Sequence, residues 1–305
     1  MTTVNHALAS AEDLARLKRH FDSATSPAPP TPASRSPRPS RRTPGNALYE
    51  YAYMGKAGPD LFGDLADMAE PENWDRDSPG DKGILRNYIC WTFERARQQG
   101  KISASVDASH SAFNTGLATA RQEVIYGLFR RNSRTGHPWD FVDWCVEGKH
   151  DFMDHFPPSL RPDFVTYTDN PADYVYDWRR ELIVSVDHIL DGHRLARFPA
   201  PLQRNPHLAC MALKGAIDTV LERVRRNHRT AVPVWYPALD TVQLLLPLSL
   251  VDAGVVDLAL VVSPQGEFYR GHTVFTPAMA YNNARLVGRP DSEWLRPAVC
   301  EEAPS

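Results

Sequence analysis

No apolar run in this 305-residue sequence reaches the ~20 residues that a membrane-spanning helix requires. The opening MTTVNHALASAEDLARL lacks the basic-then-apolar order of a secretory signal. A cytoplasmic setting with no membrane partner is the expectation. Cysteine is sparse: the four residues Cys90, Cys145, Cys210 and Cys300 lie far apart, with no CxxC pair and no histidine nearby at zinc spacing. That argues against structural zinc and for buried free thiols. The signatures of familiar chemistry are missing too. There is no Walker loop, dinucleotide glycine fingerprint, GxSxG elbow, HExxH or kinase set, and no metal or cofactor is expected. A formal charge of -3 points neither toward nucleic acid nor away from it.

What is present is proline, 26 residues of it, and an apolar fraction of 42%. This suits a loop-rich globular body with an extended segment attached, in one large domain or two small ones. Residues 8–21 carry Ala, Leu and paired charges at helical spacing and predict a short amphipathic helix. The stretch SPAPPTPASRSPRPSRRTP, residues 26–44, holds seven prolines, four arginines and no acidic residue. Such a composition builds no core and reads as a disordered linker, either a tether or an electrostatic arm for RNA. Its +4 taken from the total of -3 leaves the remainder at -7.

The body begins near Ala47 with the aromatic-rich LYEYAYM. LFGDLADMAE predicts a helix stopped by Pro71. From Ile84, the set Leu85, Tyr88, Ile89, Thr92, Phe93 and Ala96 follows the helical period to a stop at Gly100, with Arg86, Arg95 and Arg97 off the stripe and read as solvated. KISASVD, SAFNTGL, EVIYGLFRR and PWDFVDWCVE predict a meander of three or four antiparallel strands, although EVIYGLF also fits a short helix. A proline-interrupted irregular stretch follows. In ELIVSVDHIL the alternation of Leu182, Val184 and Val186 predicts a strand leading into Asp187 and His188. A long helix between Pro206 and Asn227 has Cys210, Leu213, Ile217, Val220, Leu221 and Val224 on one face, Ile217 and Val220 being its buried centre. TAVPVWY is a further strand.

The organising stretch is 241–287. TVQLLLPLSLV and VDLALVV are too apolar for water-facing strands and predict strands buried on both faces. Ser263, Pro264, Gln265 and Gly266 are read as the turn between the second of these and Phe268. Thr276 and Pro277, an N-cap followed by a first-turn proline, open a helix that carries Tyr281, Asn282, Asn283 and Arg285. PDSEWLRPAVCEEAPS closes the chain as a tail.

Two groups of residues suit ligand chemistry. Arginine forks match phosphate, and asparagine amides match donor and acceptor patterns on bases. Arg225 and Arg229 at the end of the long helix and Asn282, Asn283, Arg285 and Tyr281 therefore predict a cleft, with the FNTG turn (Asn114, Thr115) as a third wall. Asn283 and Arg285 lie about 200° apart on a regular helix. Arg285 is assigned the reach into the cleft, and Asn283 the anchoring of the helix to a neighbouring strand. Asp187 and His188 are the candidate catalytic pair, His188 as general acid or base. They serve one site only if a turn brings them to the same side.

LLPL (245–248) and NAR (283–285) are like the two hallmark motifs of an uncharacterised domain family, domain of unknown function 3825. LYEYAYMG (48–55), ILRNY (84–88), FNTGL (113–117), VDHIL (186–190), AVPVWY (231–236) and PDSEWL (290–295) also resemble that family's pattern, in its order. The resemblance covers roughly residues 46–296 and implies a single domain of this extent. Some members resemble fusions to cold-shock or other RNA-associated domains, which implies RNA as a partner by association. In this sequence, residues 1–45 read as a short helix and a basic Pro-rich linker, with no recognisable RNA-binding module expected among them.

These readings converge on an α+β body over residues 46–298: a mostly antiparallel β-sheet core with several packed helices. A disordered Pro/Arg-rich N-terminal segment (1–45) precedes it and a tail (299–305) follows. The expected function is binding of RNA or a nucleotide through an Arg/Asn-lined cleft. The alternatives are a nucleotide- or RNA-processing enzyme using Asp187 or His188, and a structural interaction module. Deleting residues 26–44 is expected to leave the melting temperature of the body within about a degree or two; a large drop in a thermal melt would place that segment inside the fold.

Overall fold

The computed structural model describes residues 46–55, 60–133, 136–292 and 294–296. The helix expected over 8–21, the basic segment 26–44 and the tail 299–305 lie outside the described residues.

Two five-stranded sheets form the body. The first takes β1 (Ala52–Tyr53), β2 (Ile102–Ala104), β3 (His110–Ala118), β4 (Val124–Arg131) and β5 (Trp139–Val146), in the order β1-β5-β4-β3-β2. Its β2–β5 portion is the expected antiparallel meander, and the segment compatible with either state is strand β4. The second takes β6 (Glu181–Val184), β7 (Val232–Tyr236), β8 (Thr241–Leu248), β9 (Leu258–Gln265) and β10 (Phe268–Phe275), in the order β6-β10-β9-β8-β7. Each sheet is antiparallel except for one parallel edge strand, β1 on β5 and β6 on β10. The fold is α+β.

Strands β8 and β9 are buried on both faces. Leu244, Leu246 and Leu248 pair with Val262, Leu260 and Leu258, and these side chains pack on one side with Leu213, Val220 and Val224. Leu245 and Val261, paired in register, point the other way, into a cluster with Phe113, Ile125, Phe129 and Trp144 of the first sheet. Pro247 is tolerated in this central strand because β7 pairing stops at Leu245, and no ladder bond is lost to a second neighbour there. The LLPL stretch thus serves both cores and ends the β7 ladder.

Eight described helices dress the sheets: α1 (Ala47–Tyr51), α2 (Leu61–Met68), α3 (Gly83–Gln98), α4 (His150–His155), α5 (Val186–Leu190), α6 (Ala200–Gln203), α7 (Pro206–Arg226) and α8 (Pro277–Ala284). Helix α3 buries the predicted stripe, Ile84 through Ala96, between the sheets. Ala280, Tyr281 and Ala284 of α8 join the same cluster. Helix α7 covers the opposite face of the second sheet, its start fixed by Asn205, whose side chain accepts from Leu208 N at 3.1 Å. On the outside of the first sheet, Phe152 and Phe156 pack on Tyr126 and Leu128. The cysteines Cys90 and Cys145 are buried free thiols whose pKa burial pushes up to about 11.

Five local expectations are corrected. Arg95 is buried rather than solvated: Nη1 donates to Asp240 Oδ1 at 2.6 Å, Nε donates to Thr166 O at 2.9 Å, and the guanidinium lies 5.3 Å from the Trp235 ring. It ties α3 to the β7–β8 turn. The β9–β10 turn is only Gly266 and Glu267, because Ser263, Pro264 and Gln265 pair with β10, and Gly266 takes the positive φ (+60°) that a two-residue hairpin needs. Strand β6 stops at Val184, and Val186 starts a helix. In α7 the fully buried line is Ala209, Leu213, Ala216, Val220 and Val224, with Ile217 and Leu221 half-buried beside it. The buried face is centred one residue away from the expected one. The presumed tail is packed as far as it is described: Leu295 is buried and Trp294 Nε1 donates to Thr230 O at 2.9 Å.

Leu213→Ala should therefore destabilise the protein by about 2–5 kcal/mol, through lost transfer energy and the cavity left behind. Ile217→Ala, at the margin of the interface, should cost distinctly less. Urea denaturation of both variants checks the ranking, and equal costs would show that the helix face is misassigned.

Candidate functional site

A cavity of about 1090 Å³ opens where α7, the β8–β9 connection and the chain after α8 meet, at the β7 end of the second sheet. Arg223, in the last turn of α7, lines one side. Asn227 ends that helix in an extended conformation, and its side chain accepts from Arg229 N at 3.0 Å. This turn aims Arg229 at the segment after α8. There Arg229 Nη2 donates to Asp291 O at 2.9 Å and pairs with the Asp291 carboxylate. Ser292 Oγ donates back to Arg229 O at 2.9 Å. Residues 289–292 and 294–296 are thereby buttoned to the loop before β7, placing Arg289 and Arg296 on the cavity.

Tyr281 and Glu72 stand at the inner wall. Glu72 follows Pro71, in the connection from α2 to α3. That connection is stiffened by carboxylates that take backbone N–H groups. Asp75 accepts from Gly80 N at 2.9 Å; Asp81 accepts from Arg76 N at 2.9 Å and from Gly83 N at 2.8 Å. Burial raises the Asp81 pKa, but its backbone donors outweigh that and hold it well below the usual carboxylate range. From this loop Glu72 reaches the body of the protein. Tyr281 Oη donates to Glu72 Oε1 at 2.7 Å, and Arg285 Nε donates to the same oxygen at 2.8 Å.

The Glu72–Arg285 pair is deeply buried, the two side chains being 4% and 6% exposed. The guanidinium lies 4.7 Å from the Trp74 ring and 4.4 Å from the Tyr88 ring, a cation–π arrangement in a dry setting. Burial draws the Arg285 pKa down, yet the neighbouring Tyr88 and the Glu72 carboxylate prevail and raise it, so the cation persists. Burial, and then the bond to Glu72, push the Tyr281 phenol far above its ordinary value and keep it neutral.

The residues singled out in the sequence divide accordingly. Arg229 and Tyr281 line the cavity. Arg285 does not reach into it as expected; the NAR arginine stands behind the wall, locked to Glu72. Asn283 anchors no strand, since its Nδ2 donates to Met279 O of its own helix at 2.7 Å. Asn282 accepts from Asn87 Nδ2 of α3 at 3.4 Å. Arg225 turns away, onto the Trp178 ring at 4.9 Å. The FNTG turn is not a wall of the cavity. Asn114 and Thr115 are buried and bonded within the fold, Asn114 Nδ2 to Pro162 O at 3.3 Å and Thr115 Oγ1 to Ile125 O at 2.5 Å. Gly116, at φ +73°, leaves room for the Tyr88 hydroxyl, which a Cβ would meet at 2.4 Å. Thus FNTG seats Tyr88, and Tyr88 seats Arg285.

Asp187 and His188 are exposed on α5, which follows β6 at the opposite edge of the second sheet. The turn needed to bring them to one side is present, but it places them apart from the cavity. Glu72, Trp74, Arg289 and Arg296 were not visible as site residues, for none sits in a periodic or motif-like context. Among the described residues no group of three or more His, Cys, Asp or Glu is placed to hold a metal ion, and no helix is long and apolar enough to cross a membrane.

A family model described as Domain of unknown function (DUF3825) matches residues 65–294, and the chain belongs to that family. No curated protein and no solved structure matches the chain.

Removing one partner of a buried ion pair leaves an uncompensated charge, at a cost of about 3–5 kcal/mol. Arg285→Ala and Glu72→Ala should each destabilise by about that much, and the double variant by clearly less than the sum. A double-mutant cycle by denaturant unfolding measures this. Strict additivity would mean that the two side chains do not depend on each other.

Proposed function

We propose that this member of the family binds RNA or a nucleotide, with the ligand's phosphates held in the arginine-lined cavity. The observation that carries this reading is the state of Arg223, Arg289 and Arg296. All three line the cavity, and none of their side chains has an ion-pair or hydrogen-bond partner among the described residues. A guanidinium is always charged, and its planar fork matches phosphate oxygens. The described carboxylates at the same cavity do not neutralise these three, because Asp291 is paired with Arg229 and Glu72 with Arg285. In a chain of net charge -3 this is a local excess of cation, which raises the local concentration of anions.

The remaining lining suits a nucleic acid. The half-buried Trp294 brings ring surface to the cavity, and stacking of a base on such a ring contributes ~1–3 kcal/mol. A volume of about 1090 Å³ stands at the top of the ~300–1,000 Å³ range of small-molecule pockets, so a short run of single strand suits it better than one nucleotide. A cytoplasmic setting, where RNA is available, accords with this reading.

Binding of a short single-stranded RNA, followed by fluorescence anisotropy, should weaken with salt. Three phosphate contacts at about 0.7 each give a slope of log K on log salt near -2. Replacing Arg223, Arg289 and Arg296 together by alanine should flatten that slope and lower affinity at least tenfold. Stability should stay within ~0.5 kcal/mol, since partnerless surface groups contribute little to it. An unchanged slope in the triple variant would show that the phosphates lie elsewhere.

A further inference from the structure

Both hydrogen bonds to Glu72 fall on one oxygen. Tyr281 and Arg285 each donate to Oε1, and Oε2 receives none from any described residue. The side chain is 4% exposed and Glu72 stands in the cavity wall, yet Oε2 is not among the partnerless polar atoms sealed from solvent. A carboxylate has about four acceptor sites and no donor. Fixing it from behind with an arginine and a tyrosine while leaving one oxygen open prepares it for a donor arriving from the cavity. The bond to Arg285, itself held between Trp74 and Tyr88, keeps that oxygen in place before any ligand comes.

The chemistry of the opening narrows what can meet it. Phosphate has no donor at neutral pH and is repelled by a carboxylate, so Oε2 must face another part of the ligand. In a ribonucleotide the donors are sugar hydroxyls and base N–H groups. Base donors differ among the four bases, whereas the 2′-hydroxyl is common to all of them and lies next to the 3′-phosphate. With phosphates on the arginines of the same cavity, the sugar is the neighbouring donor. We infer that Glu72 Oε2 accepts a hydrogen bond from the ribose 2′-hydroxyl, making Glu72 the residue by which the cavity prefers RNA to DNA. A fixed acidic side chain on a ribose hydroxyl, and the 2′-hydroxyl as the mark that separates RNA from DNA, are established recognition chemistry. This rests on the phosphate-binding reading above and deepens it.

The test uses the full chain and short single strands of one sequence, as RNA, as DNA and as 2′-fluoro RNA, in anisotropy titrations at fixed salt. Fluorine keeps the ribose pucker but cannot donate. A hydrogen bond to a charged acceptor gives a preference on the order of tenfold or more, so RNA should bind at least tenfold tighter than DNA, with 2′-fluoro RNA close to DNA. The ratio should be the same for oligo-A and oligo-U. In Glu72→Gln, which retains the shape of the side chain but not its charged acceptor, the ratio of RNA to DNA affinity should fall toward one. If that variant does not fold, the wild-type ratios decide alone. Equal binding of RNA and DNA, 2′-fluoro RNA binding like RNA, a preference confined to one base, or an unchanged ratio in a folded Glu72→Gln would each overturn the assignment and leave the phosphate reading standing. No binding of any strand at low salt would overturn both.

Discussion

A β-strand with large apolar side chains on both faces cannot lie at a surface, because each face left wet forfeits roughly 1.5–3 kcal/mol per leucine or valine. Strands β8 and β9 are such a pair, and the architecture follows from the need to cover them twice. Helix α7 supplies one cover, with Leu213, Val220 and Val224 set against Leu244, Leu246 and Leu260. The other cover is compound: α3, α8 and the inner face of the first sheet share one cluster with Leu245 and Val261. The second sheet is therefore an inner layer, and its ends become the places where connecting segments converge.

The compound side is where polar groups had to be accommodated. Helix α8 brings Arg285 into the seam, and a buried guanidinium is stable there only with an anion and good stacking partners. Glu72, Trp74 and Tyr88 meet that need from two other segments. Tyr88 fits because Gly116 has no side chain at the bend of β3. Four distant stretches of sequence are thus bound to one cation. Pairs of this kind contribute little net stability compared with an apolar filling of the same shape, but losing one member is costly. The effect is a single seating of α8 against the α2–α3 connection, and hence a firm inner wall for the cavity beside it.

The cavity depends on that wall and on a more exposed clasp. Arg229, Asp291, Ser292 and Trp294 join the chain after α8 to the loop before β7 through bonds at the surface. The inner wall is held by a buried ion pair, and the clasp by the exposed Arg229–Asp291 and Ser292–Arg229 bonds together with the half-buried bond from Trp294 to Thr230. On the proposed reading, a ligand entering between them would meet a carboxylate at the back and guanidinium groups at the rim.

Much of the scaffold was legible because its signals are periodic and local. The doubly buried strands, the stripe on α3, the Thr276–Pro277 helix start and the β2–β5 meander all declare themselves within a window of about ten residues, and the folded chain keeps them. The site was less legible. Arg229 and Tyr281 do line the cavity, yet Arg285 points the other way from the expectation, since periodicity around α8 tells which side is buried but not that a carboxylate waits there. Arg95 misled in the same way, its partner Asp240 being 145 residues along the chain. Glu72 carried no signal at all: one glutamate after a proline is unremarkable until Tyr281 and Arg285 are folded onto it. Sequence alone determined which segments must be buried and of what kind they are, because hydrophobic periodicity is a property of near neighbours. Only the tertiary structure decided which charges are paired and which stay open to a ligand, because those partners lie up to 213 residues apart and meet only when the layers close.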